Sequence, residues 1–314
     1  MIYKTFDEFE SYAEAIEDAD MRLFQCQPDR PRWSIRHLRA GSVHVQSCTD
    51  GCGNVAEGAT RRDGWLLVFT VAGRWGLVNG KNLACGSVLV LPPGAEFCIT
   101  SQNAHDWVSV FLPTEVLFST LDFAPPGSSR SVRIIRPSRN LLRDLRMAVA
   151  RYSAAVENRP SATTEVEPAN QFVEKLCRLA EEIVSTPDGE KKAAQRFKRL
   201  RDLTSLATRR FEDSASIAYK VADLAQSIGA SERALRNAFA QYYGMSPRKY
   251  FTLQRLHHAR HLLRESKPTE VTIQQVAAQV GFWDFGRFAS KYRCTFGELP
   301  SETLSRRLGE TLSQ

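Results

Sequence analysis

Residues 276–292 read VAAQVGFWDFGRFASKY, a stretch rich in aromatic side chains that keeps small residues, two cations and an Asp at regular intervals. Its spacing decides between a core helix, an aromatic platform for unpaired bases and one half of a helix-turn-helix. Ile273, Val276, Ala277, Val280 and Gly281 fall at i, i+3, i+4, i+7 and then a glycine stop, the signature of a short amphipathic helix ended by Gly. The same pattern stands 52 residues earlier as Val221, Leu224, Ala225, Ile228 and Gly229. After each copy a capping residue opens a second helix, Ser231 before ERALRNAFAQYY and Asp284 before FGRFASKY. Short helix, glycine turn and capped helix is the helix-turn-helix arrangement, whose second helix can enter a major groove. Phe288 and Tyr292 fall on one side of that second helix with Phe285 near its edge, and Phe282 sits in the turn. Most of these rings are therefore expected to hold the unit together rather than to stack on bases.

Charge supports the same reading. From Lys191 to Leu308 there are 22 Lys and Arg against 10 Asp and Glu, a balance of +12 within a chain whose net charge is +7. A polyanion partner suits this segment and not the rest. A helix from Pro247 to Arg264 is predicted to connect the two modules. STPDGE at 185–190 interrupts the pattern just before the basic segment, which predicts a boundary there and a segment that folds on its own.

Upstream the periodicity changes. From Trp33 to Leu112 the runs WSIRHLRA, SVHVQS, WLLVFTV, RWGLV, SVLVL, EFCIT and WVSVFL are separated by turn signals, among them TDGCGN, Asn79-Gly80 and Pro92-Pro93-Gly94. Seven short strands in such a span predict an antiparallel barrel or sandwich. Phe6 to Ala19 reads as one short helix. After PPGSSRS, the runs NLLRDLRMAVARY and FVEKLCRLAEEIV carry helical spacing around the loop NRPSATTEVEPAN, which predicts a helical hairpin. The expected fold class is α+β, with a β-rich domain over 1–135, a helical element over 136–190 and a double helix-turn-helix domain over 191–308.

The C-terminal residues resemble the DNA-binding domain of the AraC/XylS transcription regulators. The paired modules, the connecting helix, Gly244-Met245-Ser246-Pro247 and Gly281-Phe282 carry the likeness, and GFWDFGRFASKYRCTFGELPSETL looks closer still to the ethanolamine-operon regulator and its relatives. The resemblance implies a cupin-like sensor domain at the N-terminus, a helical element for homodimerisation, and partners comprising double-stranded promoter DNA, RNA polymerase and a small-molecule effector. It also implies reading positions on the two capped helices. In the first these are Glu232, Arg233, Arg236 and Asn237, where Arg forks to guanine O6 and N7 and Asn bonds adenine N6 and N7. In the second, Phe285 and Gly286 stand with Arg287 and Ser290, so Arg287 is the only long hydrogen-bonding reader and the second module is expected to hold phosphates and shape more than bases.

Other signals point elsewhere and are weaker. Seven scattered cysteines in a chain of 314 residues are an odd number, expected to be reduced thiols. His44-x3-Cys48-x3-Cys52 offers soft ligands but no close fourth, and His37, His44 and His105 form no His-x-His pair of the kind an enzymatic cupin needs, so no metal and no cofactor is expected. His257 and His261 share a face of the connecting helix, where solvent or phosphate is the expected neighbour. No nucleotide loop or nucleophile elbow appears, so the chain is not expected to be an enzyme. No apolar run reaches the length of a membrane span, and the acidic, amphipathic start MIYKTFDEFESYAEA is unlike a secretory signal, which predicts a cytoplasmic protein. Two other readings remain at this stage: an alkylation-repair protein with an N-terminal acceptor cysteine, and an architectural DNA binder without a ligand.

Overall fold

The computed structural model describes residues 2–28, 33–73, 75–119, 131–158, 166–186, 191–213, 220–267 and 269–311. Most of the linker PPGSSRS, most of the loop NRPSATTEVEPAN and most of the boundary STPDGE lie outside them. In the N-terminal part the elements are β1 (Ile2–Phe6), α1 (Phe9–Glu14), β2 (Ala19–Gln25), β3 (Trp33–Ala40), β4 (Val43–Asp50), β5 (Asn54–Thr60), β6 (Gly64–Ala72), β7 (Trp75–Val78), β8 (Lys81–Asn82), β9 (Val88–Leu91), β10 (Glu96–Ser101), β11 (His105–Pro113), α2 (Thr114–Ser119) and β12 (Arg133–Ile135). They form a seven-stranded sheet in the order β1-β3-β4-β11-β6-β9-β12 and a five-stranded sheet in the order β2-β5-β10-β7-β8. Every pairing described is antiparallel, so the expected sandwich is present.

Alternation assigns each face its neighbour. On β6, Leu66 and Val68 point between the sheets with Leu89, Leu91, Phe97 and Phe111. Trp65, Leu67 and Phe69 point outward, where α3 (Arg139–Asn158) and α4 (Val166–Ser185) cover them with Leu141, Leu145, Phe172 and Leu176. Central strands buried on both faces read as continuous apolar runs, which is why WLLVFTV and SVLVL were conspicuous in the sequence. The hairpin of α3 and α4 thus packs its apolar stripe on the sheet, with Tyr152 and Phe172 stacked at 4.1 Å. Arg146 donates to the Thr70 carbonyl at 2.6 Å, and Arg133 donates to the Val184 carbonyl at 2.7 Å at the end of α4, where a cation meets the negative end of the helix dipole.

Two expectations need correction. The segment from Phe6 to Ala19 is not one helix: α1 ends at Glu14 and Ala19 already belongs to β2. The strand β5, NVAEGAT, carries no strand signal in the sequence, because Ala, Glu and Gly dilute its β propensity. Gly58 is there for space rather than for propensity. A Cβ on it would stand 2.1 Å from the Asp20 carbonyl oxygen and 2.6 Å from the Met21 Cα, so β2 and β5 approach only because the side chain is missing.

The C-terminal part holds α5 (Lys191–Asp213), α6 (Val221–Ser227), α7 (Glu232–Tyr242), α8 (Pro247–Glu265), α9 (Ile273–Gln279), α10 (Phe285–Phe296) and α11 (Pro300–Thr311). It contains two cores. The second module encloses its own around Leu256, Val276, Phe288 and Tyr292. The first does not: Leu235, Phe239, Tyr243 and Tyr250 share one cluster with Phe24, Val55 and Cys98 of the five-stranded sheet. The two copies of the repeat thus differ in their surroundings, the first being packed partly on the β domain.

The connecting helix α8 is the main strut between the halves. Its Arg264 lies 2.6 Å from Glu8 and also pairs with Glu10, while Arg260 places Nε 2.7 Å from Glu10 and Nη1 2.7 Å from Glu298. The Arg260 Nε contact is an ion pair without the alignment of a hydrogen bond. His257 does not face solvent or phosphate as expected. It is walled by the rings of Phe9, Phe24 and Phe296, its Nε2 lies 3.0 Å from the Gln25 carbonyl, and it donates there. Burial pushes its pKa down to about 4.

Two outcomes are expected. Gly58→Ala must separate β2 from β5 or strain both, so chemical denaturation should show a loss of about 1–3 kcal/mol, typical of overpacking. For His257, the unfolded imidazole takes its proton near its ordinary value of 6.5 and the folded one only near 4, so stability is complete above about pH 6.5 and falls as pH drops toward 4. The full loss is about 3 kcal/mol, and His257→Gln should remove that part of the slope.

Candidate nucleic-acid interface

Both modules are terminated and restarted as the sequence requires. Gly229 and Gly281 have φ of +68° and +82°, the left-handed conformation that ends a helix at little cost only for glycine. The Ser231 hydroxyl then accepts from the Ala234 amide at 3.1 Å, and the Asp284 carboxylate accepts from the Arg287 amide at 3.0 Å, so each second helix starts on a side-chain cap. Thr272 and Gln275 close a full capping box at the start of α9.

On α7 the buried side is Leu235, Ala238, Phe239 and Tyr242, and Arg233, Arg236 and Asn237 are exposed, with Glu232 half-exposed. Glu232 and Arg236 are partners: Arg236 Nε donates to the Glu232 carboxylate at 2.8 Å across one helical turn. One edge of the guanidinium is thus occupied by Glu232, while the side chain as a whole is exposed. On α10, Gly286, Arg287 and Ser290 are exposed, and Arg287 lies 3.1 Å from the capping Asp284. Phe288 and Tyr292 are core, and Phe282 in the turn packs 5.1 Å from Phe288. Trp283, 71% exposed, and Phe285, 39% exposed, are not core: they form an apolar lip at the start of α10 that the periodicity did not separate from the buried rings. Arg255 joins the two modules, donating to the Gly281 carbonyl at 3.2 Å with its guanidinium over Phe211 at 5.6 Å and Phe282 at 5.3 Å.

The opposite end of α7 is docked on the β domain. Glu57 of β5 accepts from the Tyr250 hydroxyl at 3.0 Å and the Tyr243 hydroxyl at 3.1 Å, and Arg22 of β2 pairs with it at 3.1 Å. Burial, with the Glu57 charge beside them, holds both phenols well above their ordinary pKa, so they remain donors. These two strands and β10 line a cavity on their other face. Met21 and Leu23 of β2, Ala56 of β5, and Phe97 and Ile99 of β10 point into a space of about 60 Å³, counted for the centre of a water molecule. Their sequence neighbours Phe24, Val55 and Cys98 point into the core of the first module. One sheet is therefore at once the wall of the cavity and the seat of the first module.

The polar side of the cavity centres on Asp50. This buried carboxylate accepts from Trp107 Nε1 at 2.9 Å and Asn54 Nδ2 at 2.6 Å, and from the Tyr12 hydroxyl, with His105 Nε2 at 3.5 Å. Nothing in the spacing of these residues pointed to the cluster, since the chain turns between them. Cys48 and Cys52 are buried, and burial with the Asp50 charge raises the Cys48 thiol above its ordinary value, the reverse of what an alkyl-accepting thiolate needs. Among the described residues no helix is long and apolar enough to cross a membrane.

Residues 224–306 match a family described as a helix-turn-helix domain. Over 94 residues the chain is 37% identical to XylDLEGF operon transcriptional activator 2 of Pseudomonas putida, a match covering 30% of this chain and 60% of that one. Over 102 residues it is 33% identical to the probable thc operon regulatory protein of Rhodococcus erythropolis, covering 32% of this chain and 31% of that one. A solved transcriptional regulator from Chromobacterium violaceum, described as having an AraC-type DNA-binding domain, is 31% identical, with 34% of this chain and 93% of that one covered and a TM-score of 0.32. The likeness thus spans less than two thirds of these curated relatives' length and lies in one part of this chain. Residues 224–306 are thus a helix-turn-helix domain similar in sequence to that of the XylDLEGF operon activators.

Proposed function

We propose that the protein is a one-component transcription regulator: the two capped helices bind promoter DNA in sequence-specific fashion, and a small molecule held in the β domain controls that binding. The observation that carries the reading is the two-faced wall. Residues that line the cavity alternate, one position apart on β2, β5 and β10, with residues that seat the first module. A molecule that fills the cavity pushes these strands outward, and Phe24, Val55 and Glu57 move with them. Occupancy then changes the free energy of the docked placement, which is the differential binding that control requires. A largely apolar body with one group that can hydrogen-bond near Asp50 suits the lining.

The reading faces of α7 and α10 stay open to solvent in the docked state, so docking regulates through placement of the modules rather than by covering them. Within this reading Glu232, Arg233, Arg236 and Asn237 form the base-reading set of the first module. Gly286, Arg287 and Ser290 form the backbone-tracking set of the second, with the exposed Trp283 beside them. Homodimerisation through the α3–α4 hairpin and contact with RNA polymerase belong to the same proposal and rest on the resemblance of the C-terminal segment. The ethanolamine-operon subgroup stays a proposal on the wording of residues 281–304 alone.

Selection from randomised DNA should return a motif with two parts about one helical turn apart, with most of its information in the part read by α7. Equal information in both parts would contradict the assignment of roles, and no enriched motif would contradict sequence-specific binding. Arg236→Ala should lose about 1–3 kcal/mol on the selected site and much less on random DNA, because a base-edge contact carries sequence information and a phosphate contact does not. Fluorescence anisotropy on the two DNAs measures the difference, and equal losses would show that Arg236 touches only the backbone.

A further inference from the structure

A second cluster of chemistry lies at the edge of the β domain, apart from the DNA-reading helices. His37 and His44 are seven residues apart and look unrelated in the sequence. The β3–β4 hairpin pairs Arg39 with His44 and His37 with Gln46, which sets the two histidines diagonally across the ladder on one face. Their rings lie parallel within 3°, and His37 Nδ1 stands 3.1 Å from His44 Nε2. Both side chains are buried.

The other nitrogen of His44 is already committed. His44 Nδ1 lies 2.5 Å from Asp18 Oδ2, a carboxylate that also accepts from Gln46 Nε2 at 3.0 Å. Asp18 therefore holds the imidazole proton on Nδ1 and turns the Nε2 lone pair toward His37. A buried carboxylate behind a histidine, fixing its tautomer and orientation, is the usual support of a metal-ligating imidazole. Glu17, next in the chain to Asp18, brings Oε1 to 3.9 Å from His37 Nδ1, while its Oε2 is paired with Arg39. One ligand atom from each of Glu17, His37 and His44 can be chosen so that all three lie within 4.8 Å of one another.

We propose that Glu17, His37 and His44 bind a divalent transition ion of the zinc class. Two nitrogens each about 2.0–2.1 Å from a tetrahedral zinc stand about 3.3 Å apart, close to the separation present here. The donor set of two imidazoles and one carboxylate suits zinc, cobalt or nickel and not calcium or magnesium, which take oxygen cages. To accept the ion, His37 carries its proton on Nε2, so that its Nδ1 lone pair and that of His44 Nε2 converge, and Glu17 Oε1 closes by a side-chain rotation. Three protein ligands leave a fourth position for water or another donor. Glu17 and Gln46 also line the cavity, so the site stands at the cavity's edge, and an ion there ties the β3–β4 hairpin to the connection between α1 and β2.

The test uses the full-length protein and the metal alone. After chelator treatment and dialysis, the protein is equilibrated with micromolar zinc and the bound metal counted by mass spectrometry. Cobalt(II) is substituted in parallel and its visible absorption recorded. One equivalent of zinc, and cobalt bands of tetrahedral intensity without thiolate charge-transfer absorption, are expected. His37→Gln should abolish binding, and Asp18→Asn should weaken it about 10–100-fold through loss of the orienting contact. Glu17→Gln changes a half-exposed side chain and so tests the site even if the histidine variants unfold; it should weaken binding at least about tenfold. The double variant His258→Gln, His261→Gln on α8 should bind as the parent does. No zinc bound by the parent protein, binding undiminished in Glu17→Gln, or cobalt spectra dominated by thiolate would each overturn the proposal.

Discussion

The Glu57 carboxylate is the contact on which the arrangement of the two halves depends. It sits between Arg22 on its own sheet and the hydroxyls of Tyr243 and Tyr250 on the DNA-binding part, and its side chain is 14% exposed. A carboxylate removed this far from water costs several kcal/mol unless its lone pairs are filled. Here all of its partners are donors that cannot easily give up a proton. Removing Arg22 or either tyrosine leaves the carboxylate one donor short, which weakens the docked state.

Around that carboxylate the rest follows from alternation. A strand has two faces and a short repeat, so a residue facing the cavity always has neighbours facing away from it. On β2, β5 and β10 the away-facing residues are the seat of the first module. The helix dipoles, caps and glycine turns of the C-terminal part would form without the β domain, but the core of the first module would then end at exposed Tyr243 and Tyr250. The second module, whose core is its own, has no such dependence. The balanced cluster of Arg260, Arg264 and Arg306 against Glu8, Glu10 and Glu298 adds a second tie, placed at the start of α1 and on α8 and α11 rather than on the sheet.

Much of this was legible in the sequence, for identifiable reasons. Glycine stops and side-chain caps are local, so α6, α7, α9 and α10 could be placed from a few residues each. Apolar runs buried on both faces marked β6, β9 and β11. The strand β5 was hidden because its role is close approach and docking, served by Gly58 and Glu57, neither of which favours a strand. His257 reads as a solvent-facing histidine on a basic helix and is in fact enclosed by three phenylalanines from different parts of the chain. The meeting of His37, His44 and Glu17 depends on hairpin register and on a backward loop, which spacing alone does not reveal. Trp283 and Phe285 share the composition of their buried neighbours, and only the packing separates them.

The docking claim can be measured with cysteines the protein already has. Cys85 in the β domain and Cys294 on α10 are the exposed ones, the others being buried or partly so. Nitroxide labels on these two report the distance between the halves by pulsed electron paramagnetic resonance. The parent protein should give one narrow distribution, and Glu57→Lys, which sets a cation against Arg22 and removes the acceptor from both tyrosines, should broaden or displace it while circular dichroism stays unchanged. An identical narrow distribution in Glu57→Lys would contradict the account, because the halves would then be held together by something other than this carboxylate.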